Sequence, residues 1–456
     1  MAVNNVVGTG VTVVSAILLS KALGPEDFAI YALCTSLASV LRIASRLGIN
    51  ASLLSQREEP TEKDYQTALT ITSASSVIVA IVALCALRGL GHFSHVPNLF
   101  WPGAATAALV PLHMLALPAM TRMERRLQFF PITVIELASQ VVSQAVGISL
   151  AFNGWHIWGP VSGWCIRAVV VCVAPWIYLG IAPRFGLHLP AAAKMLRFGF
   201  GYSVTAGVEQ SRSLIFLASV GRLMGPDAVG LLGLTLRAAG LVAPVRSAVS
   251  RVILPALAPI ADNRRALRRW LNAAVETEVA ISIPVAVVAI AVYGPCVRVA
   301  LGPFWQATVP LFPWVVGAAL LASAHAAALS ALHVRGFFAE SVAASCVGHA
   351  AVLAGIATLS GLAGLEGCAA AMMLAWPASW LQDWFSARRL GSRWSRNGVA
   401  WAMSGAAACL AWRVGPVALI VPTVVLLMTW PAIRLRFGKV LAVFSSRPGT
   451  AGASIS

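Results

Sequence analysis

The sequence predicts an all-α polytopic membrane protein with about 14 transmembrane helices, in two parallel six-helix lobes around a central cavity plus two extra C-terminal helices. Three observations predict it. Only 11% of the 456 residues are charged and 59% are hydrophobic, whereas soluble domains carry about 25% charged residues. Apolar runs of roughly 18 or more residues, long enough to cross a bilayer as helices, fill nearly the whole chain. A turn segment near the N-terminus recurs 201 positions later.

In chain order, the apolar runs place spans 1–6 at about residues 4–23, 27–54, 66–88, 98–120, 130–152 and 158–182. Spans 7–12 follow at about 198–221, 228–254, 272–293, 307–332, 339–360 and 366–386, with spans 13 and 14 at about 397–412 and 416–433. The first run lacks a charged leader and an Ala-x-Ala-like end, so it reads as a spanning helix rather than a cleavable signal. Pro111, Pro118, Pro175, Pro244 and Pro284 interrupt spans, which membrane helices tolerate where neighbours re-satisfy the backbone.

The net charge of +17 does not point to nucleic acid, because the basic residues sit in short loops between spans. Of 33 Lys and Arg, 21 lie in the loops after even-numbered spans and in the C-terminal tail, and seven lie inside spans. The opposite loops hold only Lys21, Arg88, Arg222, Arg298 and Arg413. Basic loops stay cytoplasmic on insertion, so this split implies an even span count with both termini cytoplasmic. Clusters such as Arg264-Arg265…Arg268-Arg269 and Arg388-Arg389…Arg393…Arg396 are topology anchors first and contacts for acidic membrane lipids second.

The recurring turn is Leu23-Gly24-Pro25-Glu26-Asp27-Phe28, answered by Met224-Gly225-Pro226-Asp227-Ala228. Glycine ends the first helix because it accepts left-handed dihedrals. Proline opens the next helix where no hydrogen bond is lost, and acids in its first turn suit the helix dipole. Six spans separate the copies, so spans 7–12 answer spans 1–6 and both sets cross the membrane in the same sense. This divides the chain into lobes at 1–190 and 191–390, with 391–456 supplying two extra spans and a basic cytoplasmic tail.

Ionisable groups inside spans are costly and usually face a cavity or a partner. The cations are Arg42, Arg46, Arg167, Arg212, Arg237, Arg246 and Arg251; the clearer anions are Glu136 and Glu209. Arg42, Arg46 and Asn50 share one helix face at i, i+4 and i+8. Arg46 lies roughly 12 Å from the cytoplasmic end of its span, within reach of snorkelling; Arg42 is a turn deeper, and Arg251 reads as a snorkelling anchor. Glu209 and Arg212, at i and i+3, suit an intrahelical ion pair. Read functionally, Arg42, Arg46, Asn50, Arg167, Arg212, Arg237 and Arg246 line the cavity and bind an anion, since guanidinium forks match phosphate oxygens. Glu136 and Glu209 are the candidates for ion coupling.

The chain carries no Gly-x-x-x-x-Gly-Lys-Ser/Thr loop, His-Glu-x-x-His or Gly-x-Ser-x-Gly motif. It therefore reads as neither an enzyme nor a nucleotide-driven pump, and no cofactor is expected. None of the eight cysteines forms a Cys-x-x-Cys pair; they read as small apolar residues rather than metal ligands. His113, His325, His333 and His349 are isolated and read as polar packing residues.

Several stretches resemble the bacterial polysaccharide biosynthesis proteins of the multidrug/oligosaccharidyl-lipid/polysaccharide exporter superfamily. They include Leu23-Gly24-Pro25-Glu26-Asp27-Phe28 with Leu47-Gly48-Ile49, and Arg125-Arg126-Leu127 leading to Ile135-Glu136-Leu137-Ala138-Ser139-Gln140. Further along come Phe198-Gly199, Gly225-Pro226 with Gly230, Val252-Ile253-Leu254-Pro255 and Leu301-Gly302-Pro303-Phe304-Trp305. The resemblance implies a flippase of the bacterial inner membrane. It would move undecaprenyl-diphosphate-linked oligosaccharide repeats for exopolysaccharide, capsule or O-antigen synthesis, with a polysaccharide polymerase and glycosyltransferases as implied partners. A multidrug or cation antiporter of the same superfamily is the alternative. The chain departs from the family pattern in carrying Arg46 before Leu47-Gly48, where relatives often have an acid, and in lacking an aspartate near Ser211-Arg212-Ser213. Both departures make the cavity more basic.

Overall fold

A computed structural model describes residues 2–56, 59–240, 264–323, 332, 336–390, 402–403, 406–407 and 410, and every regular element among them is helical. The first half comprises α1 (Ala2–Arg46), α2 (Ile49–Ser55), α3 (Glu62–Ser94), α4 (Phe100–Ala108), α5 (Val110–Leu115), α6 (Leu117–Arg125), α7 (Phe129–Leu150) and α8 (Trp158–Leu179). The second half comprises α9 (Leu189–Met224), α10 (Pro226–Ala239), α11 (Arg264–Ala300), α12 (Phe312–Ser323), α13 (Phe338–Ala371) and α14 (Trp376–Leu390). Among the described residues seven helices are long and apolar enough to cross a membrane, or eight if a bent pair counts as one span. The protein is therefore a multi-pass membrane protein. Most of expected spans 13 and 14, and residues 241–263 with Arg246 and Arg251, lie outside the described residues.

The recurring turn is the same backbone event twice. Span 1 and span 2 as far as Arg46 form one element, α1, broken at Gly24 with φ 69° and ψ 179°, and the rest of span 2 is α2. The second copy separates α9 from α10 at Gly225, with φ 84° and ψ 178°. Both angles lie where a Cβ would strain the chain, and Pro25 and Pro226 start the helices that follow. The helices that these turns open also meet. A Cβ on Gly230 would lie 2.5 Å from the Pro25 carbonyl oxygen, and one on Gly233 would lie 2.6 Å from the Ala32 Cβ. In lipid, apolar burial does little to drive helices together, and small residues that permit close approach do more.

Local chemistry accounts for other boundaries. Thr61 and Asp64 cap α3 reciprocally: Thr61 N–H donates to Asp64 Oδ2 at 2.8 Å, and Asp64 N–H donates to Thr61 Oγ1 at 3.3 Å. The expected span 4 is broken into α4, α5 and α6, with Pro111 and Pro118 in the first turns of α5 and α6 and a bend of 41°. Expected spans 11 and 12 run on through α13, a short 3-10 turn (Met372–Ala375) and α14, with a sharp break at Gly364 (φ 57°, ψ −131°). Cys34 and Cys368 are buried, whereas Cys85, Cys296 and Cys346 lie on helix surfaces.

Two seams join the halves. The larger, at the Gly24 and Gly225 turns, holds the main apolar core, including Phe28, Leu33, Val229, Leu232, Val279 and Phe312. The smaller lies at the other end of α1. Leu47 (φ 46°) and Gly48 (φ 63°) turn the chain into α2, and a Cβ on Gly48 would lie 2.5 Å from the Gly199 Cα. Ile49, Leu53, Tyr65, Ala68 and Met195 form the modest apolar cluster beside it.

Candidate functional site

Between the two seams lies a cavity of about 470 Å³. Helix α1 supplies Tyr31, Thr35, Ser39, Arg42 and Arg46 along one face, and Asn50 of α2 continues it. Across from them α7 presents Glu136, Gln140 and Gln144, also at i, i+4 and i+8, and α8 presents Trp164 and Arg167. The broken α4–α6 segment closes a third side with His113 and Glu124. Gln140 Nε2 ties α7 to α1 by donating to Gly8 O and Thr12 Oγ1, each at 2.9 Å.

Four guanidiniums and two carboxylates, Glu124 and Glu136, thus face one space. Arginine keeps its charge under any ordinary condition, so the lining is net positive. The ion pairs among the described residues are Arg122–Glu62, His156–Asp27, Arg212–Glu209 and Arg389–Glu340, and none uses a cavity arginine. Among the described residues Arg42 reaches only the Ser39 hydroxyl, at 3.4 Å. The Arg46 Nε is buried without a hydrogen-bond partner among the described residues. Arg42 stands in the repulsive fields of Arg167 and Arg46, while Arg46 feels the opposite charges of Glu124 and, more weakly, Glu136, and Arg167 feels that of Glu136. Arg237, from α10, is held differently: its Nη1 donates to Tyr31 Oη at 2.9 Å.

The structure therefore brings together Arg42, Arg46, Asn50, Arg167, Arg237 and Glu136. Arg212 and Glu209 stand outside the lining and pair with each other at 3.7 Å, and Glu209 also accepts the Ser345 hydroxyl of α13. Their i, i+3 spacing already allowed for this pairing. Arg246 lies outside the described residues. The expected cavity lies between the two lobes, with Arg212, Arg237 and Arg246 lining it from the second; among the described residues Arg237 alone represents the second half in the lining. The sequence reading missed Glu124, assigned there to a loop, and the neutral side chains of Tyr31, Trp164, Gln140 and Gln144. The period of Glu136-Gln140-Gln144 matches that of Arg42-Arg46-Asn50 and was the available signal. His113 packs by back-bonding, its Nδ1 3.0 Å from Leu109 O, yet it also faces the cavity. Among the described residues no group of three or more His, Cys, Asp and Glu could hold a metal ion.

Comparison with solved structures places the fold. The inward closed conformation of the lipid II flippase MurJ matches with a TM-score of 0.72 and 14% identity, covering 93% of this chain and 96% of that one. The inward-facing conformation of a multidrug resistance transporter of the MATE family matches with a TM-score of 0.62 and 13% identity, covering 86% and 98%. Among curated proteins, the succinoglycan biosynthesis transport protein ExoT of Rhizobium meliloti (strain 1021) is 24% identical over 315 residues, or 66% of this chain. The chain spans 61% of that relative's length. The profile of the polysaccharide biosynthesis protein family matches residues 18–310, a stretch that holds both Gly-Pro turns and every described lining residue from Tyr31 to Arg237, and the chain belongs to that family.

Proposed function

We propose that this protein is a flippase that carries undecaprenyl-diphosphate-linked oligosaccharide repeats across the bacterial inner membrane for exopolysaccharide, capsule or O-antigen synthesis. The observation that carries this reading is the set of three cavity guanidiniums, Arg42, Arg46 and Arg167, that have no carboxylate in ion-pairing range among the described residues. Bidentate, charge-assisted bonds to phosphate oxygens suit such groups. The diphosphate would sit on these arginines, the sugars would fill the polar remainder of the cavity, and the lipid tail would stay in the bilayer. Lobes at 1–190 and 191–390 would alternate access, with both termini cytoplasmic and the Gly24 end facing outward. Membrane potential, an ion gradient or substrate supply would drive the cycle.

A multidrug antiporter is the second reading, motivated by the likeness to multidrug transporters in fold and by Glu136 in the lining. An organic cation would meet four arginines there, which favours the anionic substrate. In-frame deletion tests the choice. The flippase reading expects lipid-linked repeats to accumulate on the cytoplasmic face while surface polymer is lost. Unchanged glycans with a gain in sensitivity to cationic drugs would overturn it.

A further inference from the structure

At the Gly24 end of the cavity, a cation from the second half rests on aromatic rings of the first. The Arg237 guanidinium carbon lies 4.2 Å from the Tyr31 ring centroid, in addition to the bond to its hydroxyl. Tyr31 is only 1% exposed. Its ring stacks on Trp164 at 5.5 Å with planes 15° apart and meets Phe28 at 5.3 Å. Phe28 in turn meets Trp305 edge-on at 5.3 Å. The rings thus run from the cavity wall into the apolar seam. Helix α10, which carries Arg237, also carries Gly230 and Gly233, the residues pressed against Pro25 and Ala32 of α1.

A cation over a ring is attracted by the quadrupole of that ring, but a phosphate oxygen is a stronger partner for a guanidinium. We propose that Arg237 is a latch: its contact with Tyr31 holds the Gly24 end shut in the empty protein, and a diphosphate bound in the cavity draws it off the ring and releases that end. This rests on the diphosphate reading of the cavity. A ligand shifts a conformational equilibrium only through interactions that differ between the two states, and the exchange of Tyr31 for phosphate is such a difference. Loading on Arg42, Arg46 and Arg167 would then be reported across the seam by the one lining arginine the other half contributes among the described residues. Arg237 acts here as a positioning residue for the seam as well as a ligand contact.

The test uses the full chain in nanodiscs, with the native cysteines replaced and spin labels at Glu26→Cys and Asp227→Cys, exposed acids that follow the two turns. Label separations are measured without ligand and with undecaprenyl diphosphate. Without ligand the parent is expected to show the short separation. Arg237→Ala and Tyr31→Leu should each shift the shut-to-open ratio on the order of tenfold toward longer separations, while Arg237→Lys, which keeps a cation over the ring, should stay short. Adding undecaprenyl diphosphate should lengthen the separation in the parent and leave Arg237→Ala unchanged. The latch is overturned if both Arg237→Ala and Tyr31→Leu keep the short separation without ligand, and its release by ligand is overturned if the parent binds undecaprenyl diphosphate and stays short. Binding to the parent is measured in the same samples. Failure to bind defeats the diphosphate reading, while the ligand-free comparison still decides whether Arg237 holds the seam.

Discussion

The two ends of the cavity are closed by different means. At the Gly24 end, α1 and α10 lie in close contact along Pro25, Ala32, Gly230 and Gly233, backed by an apolar core drawn from both halves. At the Gly48 end, one backbone approach between Gly48 and Gly199 is backed by five buried residues, Ile49, Leu53, Tyr65, Ala68 and Met195. Since packing rather than apolar burial holds helices together in lipid, the Gly24 seam is the stronger of the two among the described residues. On these contacts the smaller seam would open at lower cost, so the empty protein is expected to admit its ligand from the Gly48 end. In the proposed topology this would be the cytoplasmic side, where lipid-linked sugars would be assembled.

The contrast can be broken most forcefully at Gly230. The neighbour there is the Pro25 carbonyl oxygen, a backbone atom that cannot rotate away. Gly230→Leu should cost about 1–3 kcal/mol of seam closure and give long Glu26→Cys/Asp227→Cys label separations with or without ligand. A short separation in this variant would show that the close approach does not hold the seam. Gly199→Val acts on the weaker end by pressing a side chain against Leu47 O. It should leave the Gly24 seam shut and raise thiol labelling of Asn50→Cys several-fold; unchanged labelling would remove Gly48–Gly199 as a gate. The smallest effect is expected at Arg125, whose Nη1 donates to Leu53 O at 2.9 Å and Gln56 O at 3.0 Å, satisfying carbonyls at the end of α2. Arg125→Ala should cost about 1.5 kcal/mol, the low end for bonds from a charged donor, read as a lower melting temperature with undecaprenyl diphosphate binding retained.

Much of this contrast was legible in the sequence at the Gly24 end and little at the Gly48 end. Gly-Pro-acid at positions 24–26 and 225–227 is turn chemistry with a local cause, so its recurrence was legible, and the dihedrals at Gly24 and Gly225 match. Leu47-Gly48 and Phe198-Gly199 stood out as family landmarks, but their meeting is a tertiary fact that neither local pattern encodes. The cavity arginines were legible because lipid penalises charge, which leaves few roles for Arg42 or Arg167 except facing a polar space. Neutral lining groups carry no such penalty: Gln140 and Gln144 needed the helical period, and Tyr31 and Trp164 could not be told from core aromatics. Arg212 shows the limit of the charge rule, since a cation inside a span can pair with an acid one turn away, as it does with Glu209.

The most direct measurement is to return native protein and an Arg42→Ala, Arg167→Ala double variant to the deletion strain and measure lipid-linked glycans and surface polysaccharide. If these arginines hold the diphosphate, the variant will insert normally, accumulate undecaprenyl-linked repeats and export polymer at least about tenfold less, since bonds to charged groups contribute about 1.5–3 kcal/mol each. Normal export from a variant present at native levels would contradict the anion-binding cavity.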